Sequence, residues 1–144
     1  MWIGHRCAVE VRELCMIKIL IVDDDKDVCD MMSFTFASRG FQVTIAHDAE
    51  QAFNLVKSVN PDIVVSDLRM PKGGGLKLLA DIKKHDPVRP KFVLITGFAD
   101  KARDEALANG AEDVLSKPIK LQVLIDRVVT ILTKAQSKGE KSAV

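Results

Sequence analysis

Five short apolar runs recur along the chain, most of them rich in β-branched residues: Ile17–Val22, Phe41–Ile45, Asp62–Ser66, Lys91–Thr96 and Asp113–Ser116. Several are apolar at consecutive positions, as in Ile19-Leu20-Ile21-Val22, rather than at alternate ones. Such runs read as strands buried on both faces, the habit of a parallel sheet. Between them, apolar residues return at helical spacing. Val28, Met31, Met32, Thr35 and Phe36 share one face of a first helix, and Ala49, Ala52, Phe53 and Val56 one face of a second. Further helices are expected near Leu76–Lys84, Lys101–Ala108 and Leu121–Thr133. Turn signals fall between the elements: Arg39-Gly40, Asn60-Pro61, Pro87, Pro90 and Asn109-Gly110. Asp48 and Asp100 read as N-caps. Five βα units in succession predict an α/β fold, a parallel sheet with helices on both faces, because right-handed crossovers place them there.

Composition narrows the picture without naming a function. The 144 residues amount to about one domain. With 21 Lys plus Arg against 20 Asp plus Glu, the net charge is +1. That balance argues against direct nucleic-acid binding by bulk charge. No apolar run approaches the roughly 20 residues of a membrane helix, so no membrane span is expected. Cys7, Cys15 and Cys29 form no C-x-x-C pair, which suits a reduced, cytoplasmic chain. Cys29 falls in the first helix and reads as a small packing residue. Residues 1–15 lack the apolar core and cleavage site of a signal peptide. They read either as a short N-terminal arm or as an extension ahead of a natural start at Met16. The single domain is expected over residues 16–134, with 135–144 a flexible polar tail.

The charges matter by position. In open sheets of this kind, ligands sit beyond the carboxyl ends of the strands. Asp23, Asp24 and Asp25 follow the first predicted strand, and Asp67 follows the third. Thr96 ends the fourth, and Lys117-Pro118 follows the fifth. Carboxylates converging on one edge repel one another, and a hard divalent cation relieves the conflict. A few carboxylates with remaining waters suit Mg²⁺. A carboxylate-held metal beside a lysine and a hydroxyl makes a phosphoryl-transfer site. One carboxylate can then act as nucleophile and give an acyl phosphate. Asp67 is the best candidate, because it stands alone at its strand end.

These same residues carry a family resemblance. Val22-Asp23-Asp24-Asp25, Ser66-Asp67-Leu68-Arg69-Met70-Pro71, Leu94-Ile95-Thr96-Gly97 and Leu115-Ser116-Lys117-Pro118-Ile119 resemble, in order and spacing, the receiver domain of two-component response regulators. The resemblance covers residues 16 to about 134. It implies a doubly wound, five-stranded, flavodoxin-like (βα)5 fold with strand order 2-1-3-4-5. It also implies Asp67 as phosphoacceptor, Asp23 and Asp24 as the acidic pair for Mg²⁺, and the Arg69 carbonyl as a further ligand alongside Asp67. Thr96 would be the switch hydroxyl, Lys117 the phosphate-sensing lysine, and Lys117–Pro118 a cis bond. The implied donor is a histidine kinase or a histidine phosphotransfer protein. Output would run through protein contacts of the fourth helix, fifth strand and fifth helix, to a downstream protein or output domain, or to a second copy on phosphorylation. The chain departs from the family in three places. Val114 stands where Phe or Tyr is usual, three residues before the lysine. Gly97 replaces a common alanine. Lys72-Gly73-Gly74-Gly75 stands where a G-M-D-G-like turn is common, with only Gly75 matching cleanly, and its three glycines are expected to make a flexible loop.

Other readings were weighed on the same residues. A haloacid-dehalogenase-like phosphatase would use Asp23 as nucleophile, but Asp27 stands where its motif needs Thr or Val, and Asp67 is left without a role. A flavodoxin-like flavin binder needs phosphate donors after the first strand, where three aspartates would repel the phosphate. A receiver that binds partners without phosphorylation stays open, with Val114 as its motive. An EF-hand over Asp23-x-Asp25-x-Asp27 fails because Val28 replaces the required glycine. Residues Gly73–Gly75 are no Walker loop, since no Gly-Lys-Ser/Thr follows. His5, His47 and His85 are scattered and receive no ligand role. Phe34 falls off the main apolar stripe of its helix, which reads most simply as loose packing and otherwise as a partner-docking patch.

Overall fold

The computed structural model describes residues 17–97 and 99–143, with side chains for all of these except 71, 99–101 and 135–143. The expectations for residues 1–16, Cys7 and Cys15 among them, and for the Asp100 side chain lie outside the described residues. The strands are β1 (Lys18–Val22), β2 (Gln42–Ala46), β3 (Ile63–Asp67), β4 (Lys91–Thr96) and β5 (Asp113–Ser116). The helices are α1 (Lys26–Ser38), α2 (Ala49–Val59), α3 (Gly74–His85), α4 (Ala99–Ala108) and α5 (Leu121–Ala143). All strand pairs are parallel, in the order β2-β1-β3-β4-β5. This is the doubly wound flavodoxin-like arrangement, and its order reverses between β1 and β3.

The consecutive apolar residues of the central strands divide by parity between two cores. Leu20, Val22, Val64, Phe92, Leu94 and Val114 pack on one side of the sheet with residues of α2, α3 and α4. Ile19, Ile21, Ile63, Val65, Val93 and Ile95 pack on the other with residues of α1 and α5. Alternate residues of a strand point to opposite faces, so a sheet covered on both sides needs apolar residues at every position. Edge strand β2 shows the contrast, with only Ala46 buried.

Local signals set the helix ends. The Asp25 carboxylate caps α1, accepting from the Asp27 and Val28 amides at 2.9 and 3.3 Å. Asp48 caps α2 by accepting from the Gln51 amide at 2.7 Å. Asn60 ends α2 in the left-handed region, and its amide returns to the Val56 carbonyl.

Three expectations shift. In α1 the buried stripe is Cys29, Met32 and Phe36, and Met31 points outward. The helix carries apolar residues most of the way round, so spacing alone did not fix its phase. The triple glycine is not a loop: Gly74 and Gly75 open α3 after a 3-10 turn over Pro71–Gly73. The last helix continues past Thr133 to Ala143. That stretch holds Lys, Ala, Gln and Glu, good helix formers, and no proline. No helix among the described residues is long and apolar enough to cross a membrane.

Candidate functional site

The carboxyl ends of β1, β3, β4 and β5 bring the acidic, hydroxyl and lysine residues to one edge of the sheet. Asp23 follows β1 and is buried at 5 % exposure, and Asp67 is the last residue of β3 at 8 %. With the exposed Asp24 they form a cluster whose carboxylate oxygens lie within 4.8 Å of one another. Lys117, just past β5, sets its ammonium 3.1 Å from Oδ1 of Asp67. The Leu68 amide donates to that same oxygen at 2.9 Å. Both partners of Asp67 therefore fall on Oδ1, and Oδ2 has none among the described residues. Thr96, buried at the end of β4, accepts through its carbonyl from the Lys117 amide at 2.9 Å. Arg69 is exposed in the turn two residues past Asp67. The Lys117–Pro118 bond is cis, and so is Arg89–Pro90, which the sequence did not announce.

The charges in this pocket do not balance. Burial pushes the Asp23 carboxyl above the ordinary carboxylate range, and the Asp67 and Asp24 charges add to the rise. The Asp25 amide, donating to Asp23 Oδ1 at 2.9 Å, and the Lys117 charge work against it. Three carboxylates against one ammonium leave excess negative charge in a half-closed site. A donor set of carboxylate oxygens alone fits a hard divalent cation such as Mg²⁺ and offers nothing to a soft metal.

Two supporting features show their role only in the structure. The first is Gly75, whose amide donates to the Leu68 carbonyl at 2.8 Å. A Cβ there would lie 2.5 Å from the Asp67 carbonyl oxygen and 2.7 Å from Cδ1 of Leu94. Only glycine lets α3 start this close to the strand end. The second is the backbone of Asp23. Its carbonyl receives the Cys29 thiol at 3.2 Å and lies 3.1 Å from Nδ1 of His47. A carbonyl only accepts, so Nδ1 carries the proton in this contact. Burial and the neighbouring Asp23 charge push the Cys29 thiol up to about 11, which keeps it an S–H donor. Neither partner belongs to a motif, because both act on a main-chain atom.

The site can be compared with known proteins on these residues. The response regulator receiver domain family matches residues 19–129. The regulatory protein AtoC of Escherichia coli is 38 % identical over 108 residues, covering 74 % of this chain and 23 % of AtoC. The response regulator MprA of Mycobacterium bovis is 32 % identical over 130 residues, covering 89 % of this chain and 56 % of MprA. The chain thus spans about a quarter to a half of these curated relatives. Among solved structures, the CheX–CheY–BeF3–Mg²⁺ complex from Borrelia burgdorferi contains a chain similar at TM-score 0.75 and 28 % identity. That match covers 81 % of this chain and 89 % of that one. The chain belongs to the response regulator receiver domain family of two-component systems.

Proposed function

We propose that this receiver domain accepts a phosphoryl group on Asp67 in a Mg²⁺-dependent reaction and thereby switches protein–protein contacts. One observation carries the reading. Lys117 and the Leu68 amide both hold Oδ1 of Asp67, which leaves Oδ2 without a partner among the described residues, on a carboxylate clustered with Asp23 and Asp24. A carboxylate fixed by one oxygen presents the other as a nucleophile of defined direction. In the reaction Oδ2 forms a bond to phosphorus as the P–N bond of a donor phosphohistidine breaks, and the departing imidazole takes up a proton. The Lys117 ammonium, already at the acceptor, is placed to neutralise oxygens of the transferred group. The Thr96 hydroxyl, at the end of the neighbouring strand, is assigned the hydrogen bond to that group. Asp23, Asp24, Asp67 and the Arg69 carbonyl would hold Mg²⁺, which when bound supplies positive charge to the phosphoryl oxygens.

The donor in this reading is a histidine kinase or phosphotransfer protein, and the target a downstream protein, an output domain or a second copy. The location is the cytoplasm, in keeping with the free, buried Cys29. Acetyl phosphate with Mg²⁺ is expected to add one phosphoryl group, located on Asp67 by peptide mass spectrometry. Asp67→Asn and EDTA should each abolish the gain. Equal labelling of the Asp67→Asn protein would overturn the assignment.

A further inference from the structure

Asp24 is the least supported member of the acidic cluster. It is exposed, and its carboxylate has no hydrogen-bond or ion-pair partner among the described residues. Its position therefore depends on its own main chain, which begins at the Asp23–Asp24 peptide. The main chain is held on both sides of the Asp23 Cα, at the preceding Val22–Asp23 peptide and, through its carbonyl, at the Asp23–Asp24 peptide itself. The Asp23 amide donates to the Ala46 carbonyl at 3.1 Å, joining the end of β1 to the end of β2. The Asp23 carbonyl oxygen has two acceptor positions, and both are used. The Cys29 thiol reaches it from α1 at 3.2 Å, and the His47 ring from the turn after β2 at 3.1 Å. His47 is itself fixed, since its amide donates to Oε1 of Gln51 on α2 at 2.9 Å.

With both acceptor positions filled, rotation of the peptide plane would break two hydrogen bonds at once. The plane fixes the direction in which Asp24 leaves Asp23. Past Asp24 the turn is held by the Asp25 amide on Asp23 Oδ1 and by the capping bonds of Asp25 to α1.

From this geometry we propose that His47, assisted by Cys29, is a positioning residue for the metal pair, fixing the Asp23–Asp24 peptide so that both carboxylates face Asp67. The proposal rests on the reading of this cluster as a Mg²⁺ site. It requires of His47 a donor at the Nδ1 position, not a metal-ligating nitrogen and not a charge. Groups that orient metal ligands from behind commonly change metal affinity by about 10–100-fold when removed.

The test uses the full chain and Mg²⁺ alone, with affinity read from the amide chemical shifts of ¹⁵N-labelled protein. Three proteins are compared: wild type, His47→Phe, which keeps a ring and loses the donor, and His47→Asn, whose Nδ2 occupies about the place of Nδ1. Expected are Mg²⁺ binding by wild type, a loss of roughly tenfold in His47→Phe, and recovery in His47→Asn, with melting temperatures unchanged. A His47→Phe protein that binds Mg²⁺ like wild type overturns the positioning role while leaving the metal site standing. Equal losses in both variants also overturn it, since the donor would then not be what matters. Wild type that binds no Mg²⁺ overturns the metal reading, and the role of His47 with it. Should His47→Phe fail to fold, Cys29→Ala removes the other donor, and unchanged Mg²⁺ affinity there overturns the proposal.

Discussion

Replacing Asp23 with asparagine should make the metal-free protein more stable while disabling the proposed Mg²⁺ site. Asp23 is 5 % exposed and faces Asp67, itself 8 % exposed, with carboxylate oxygens of the cluster within 4.8 Å. Two unit charges at that distance repel by about 3.5 kcal/mol at an effective dielectric constant of ~20. The Lys117 ammonium, 3.1 Å from Asp67, cancels part of this. Asparagine keeps an oxygen for the Asp25 amide and gains an N–H₂ that can donate to a neighbouring carboxylate. A net gain of about 1–2 kcal/mol at neutral pH follows, or roughly 5 °C in melting temperature for a domain of this size.

The pH dependence has a definite sign. The folded state raises the Asp23 carboxyl above its ordinary value of 3.8. A raised acid contributes stability that is full below the unfolded value and is lost as pH rises through the folded one. Wild type is thus penalised at neutral pH and recovers in acid, whereas asparagine does not titrate. The advantage of Asp23→Asn should be full at pH 7 and fade as the pH falls through the raised Asp23 value towards 3.8. Saturating Mg²⁺ should reverse the order, because binding at 100 times the dissociation constant adds about 2.7 kcal/mol to wild type alone. Thermal melts in EDTA and in Mg²⁺ at several pH values read all of this. An Asp23→Asn protein that melts at or below wild type in EDTA at pH 7 would refute the reasoning.

The remaining predictions concern packing. Gly75→Ala forces a Cβ to within 2.5 Å of the Asp67 carbonyl oxygen. It should cost about 1–3 kcal/mol in urea unfolding and also slow phosphorylation, since the strand end that carries Asp67 must shift. Phe36 is fully buried and edge-on to Phe41 at 5.2 Å between centroids, so Phe36→Ala should cost about 3–5 kcal/mol. Phe34, two residues earlier and 77 % exposed, should tolerate Phe34→Ser within about 0.5 kcal/mol in the same assay.

What the sequence displays depends on whether a residue acts through its side chain's chemistry or through the main chain. The strands were legible because a sheet covered on both faces demands apolar residues without interruption, as in Ile19–Val22. Asp23, Asp24, Asp67 and Lys117 stood out because charge has no reason to gather at the ends of three such runs on one edge. The phase of α1 was not legible, since Val28, Met31, Met32, Phe34 and Phe36 leave no clean polar side and packing alone turns Cys29 inward. The glycines before Leu76 looked like a flexible loop because composition cannot show a carbonyl 2.5 Å from a missing Cβ. His47 looked like a stray histidine for the same reason: its partner is a main-chain oxygen, which every residue possesses.

Val114 bears on how a change at the site reaches the helices. It is 3 % exposed and belongs to the same core as Ala102, Ala106 and Ala111. The polar joint between α4 and β5 is instead Arg103, whose guanidinium donates to the Val114 carbonyl at 3.0 Å. Three residues further along that strand, Lys117 touches Asp67 through its side chain and Thr96 through its amide. Moving a buried aromatic ring would require the core to reopen. Releasing Arg103 exchanges one charge-assisted hydrogen bond on an exposed side chain for water, a matter of about 1.5–3 kcal/mol. In the proposed function, Val114 therefore bears on how a change at Asp67 would be passed to α4, through Arg103 and the Val114 main chain rather than through a ring, and not on the residues that gather at the strand ends.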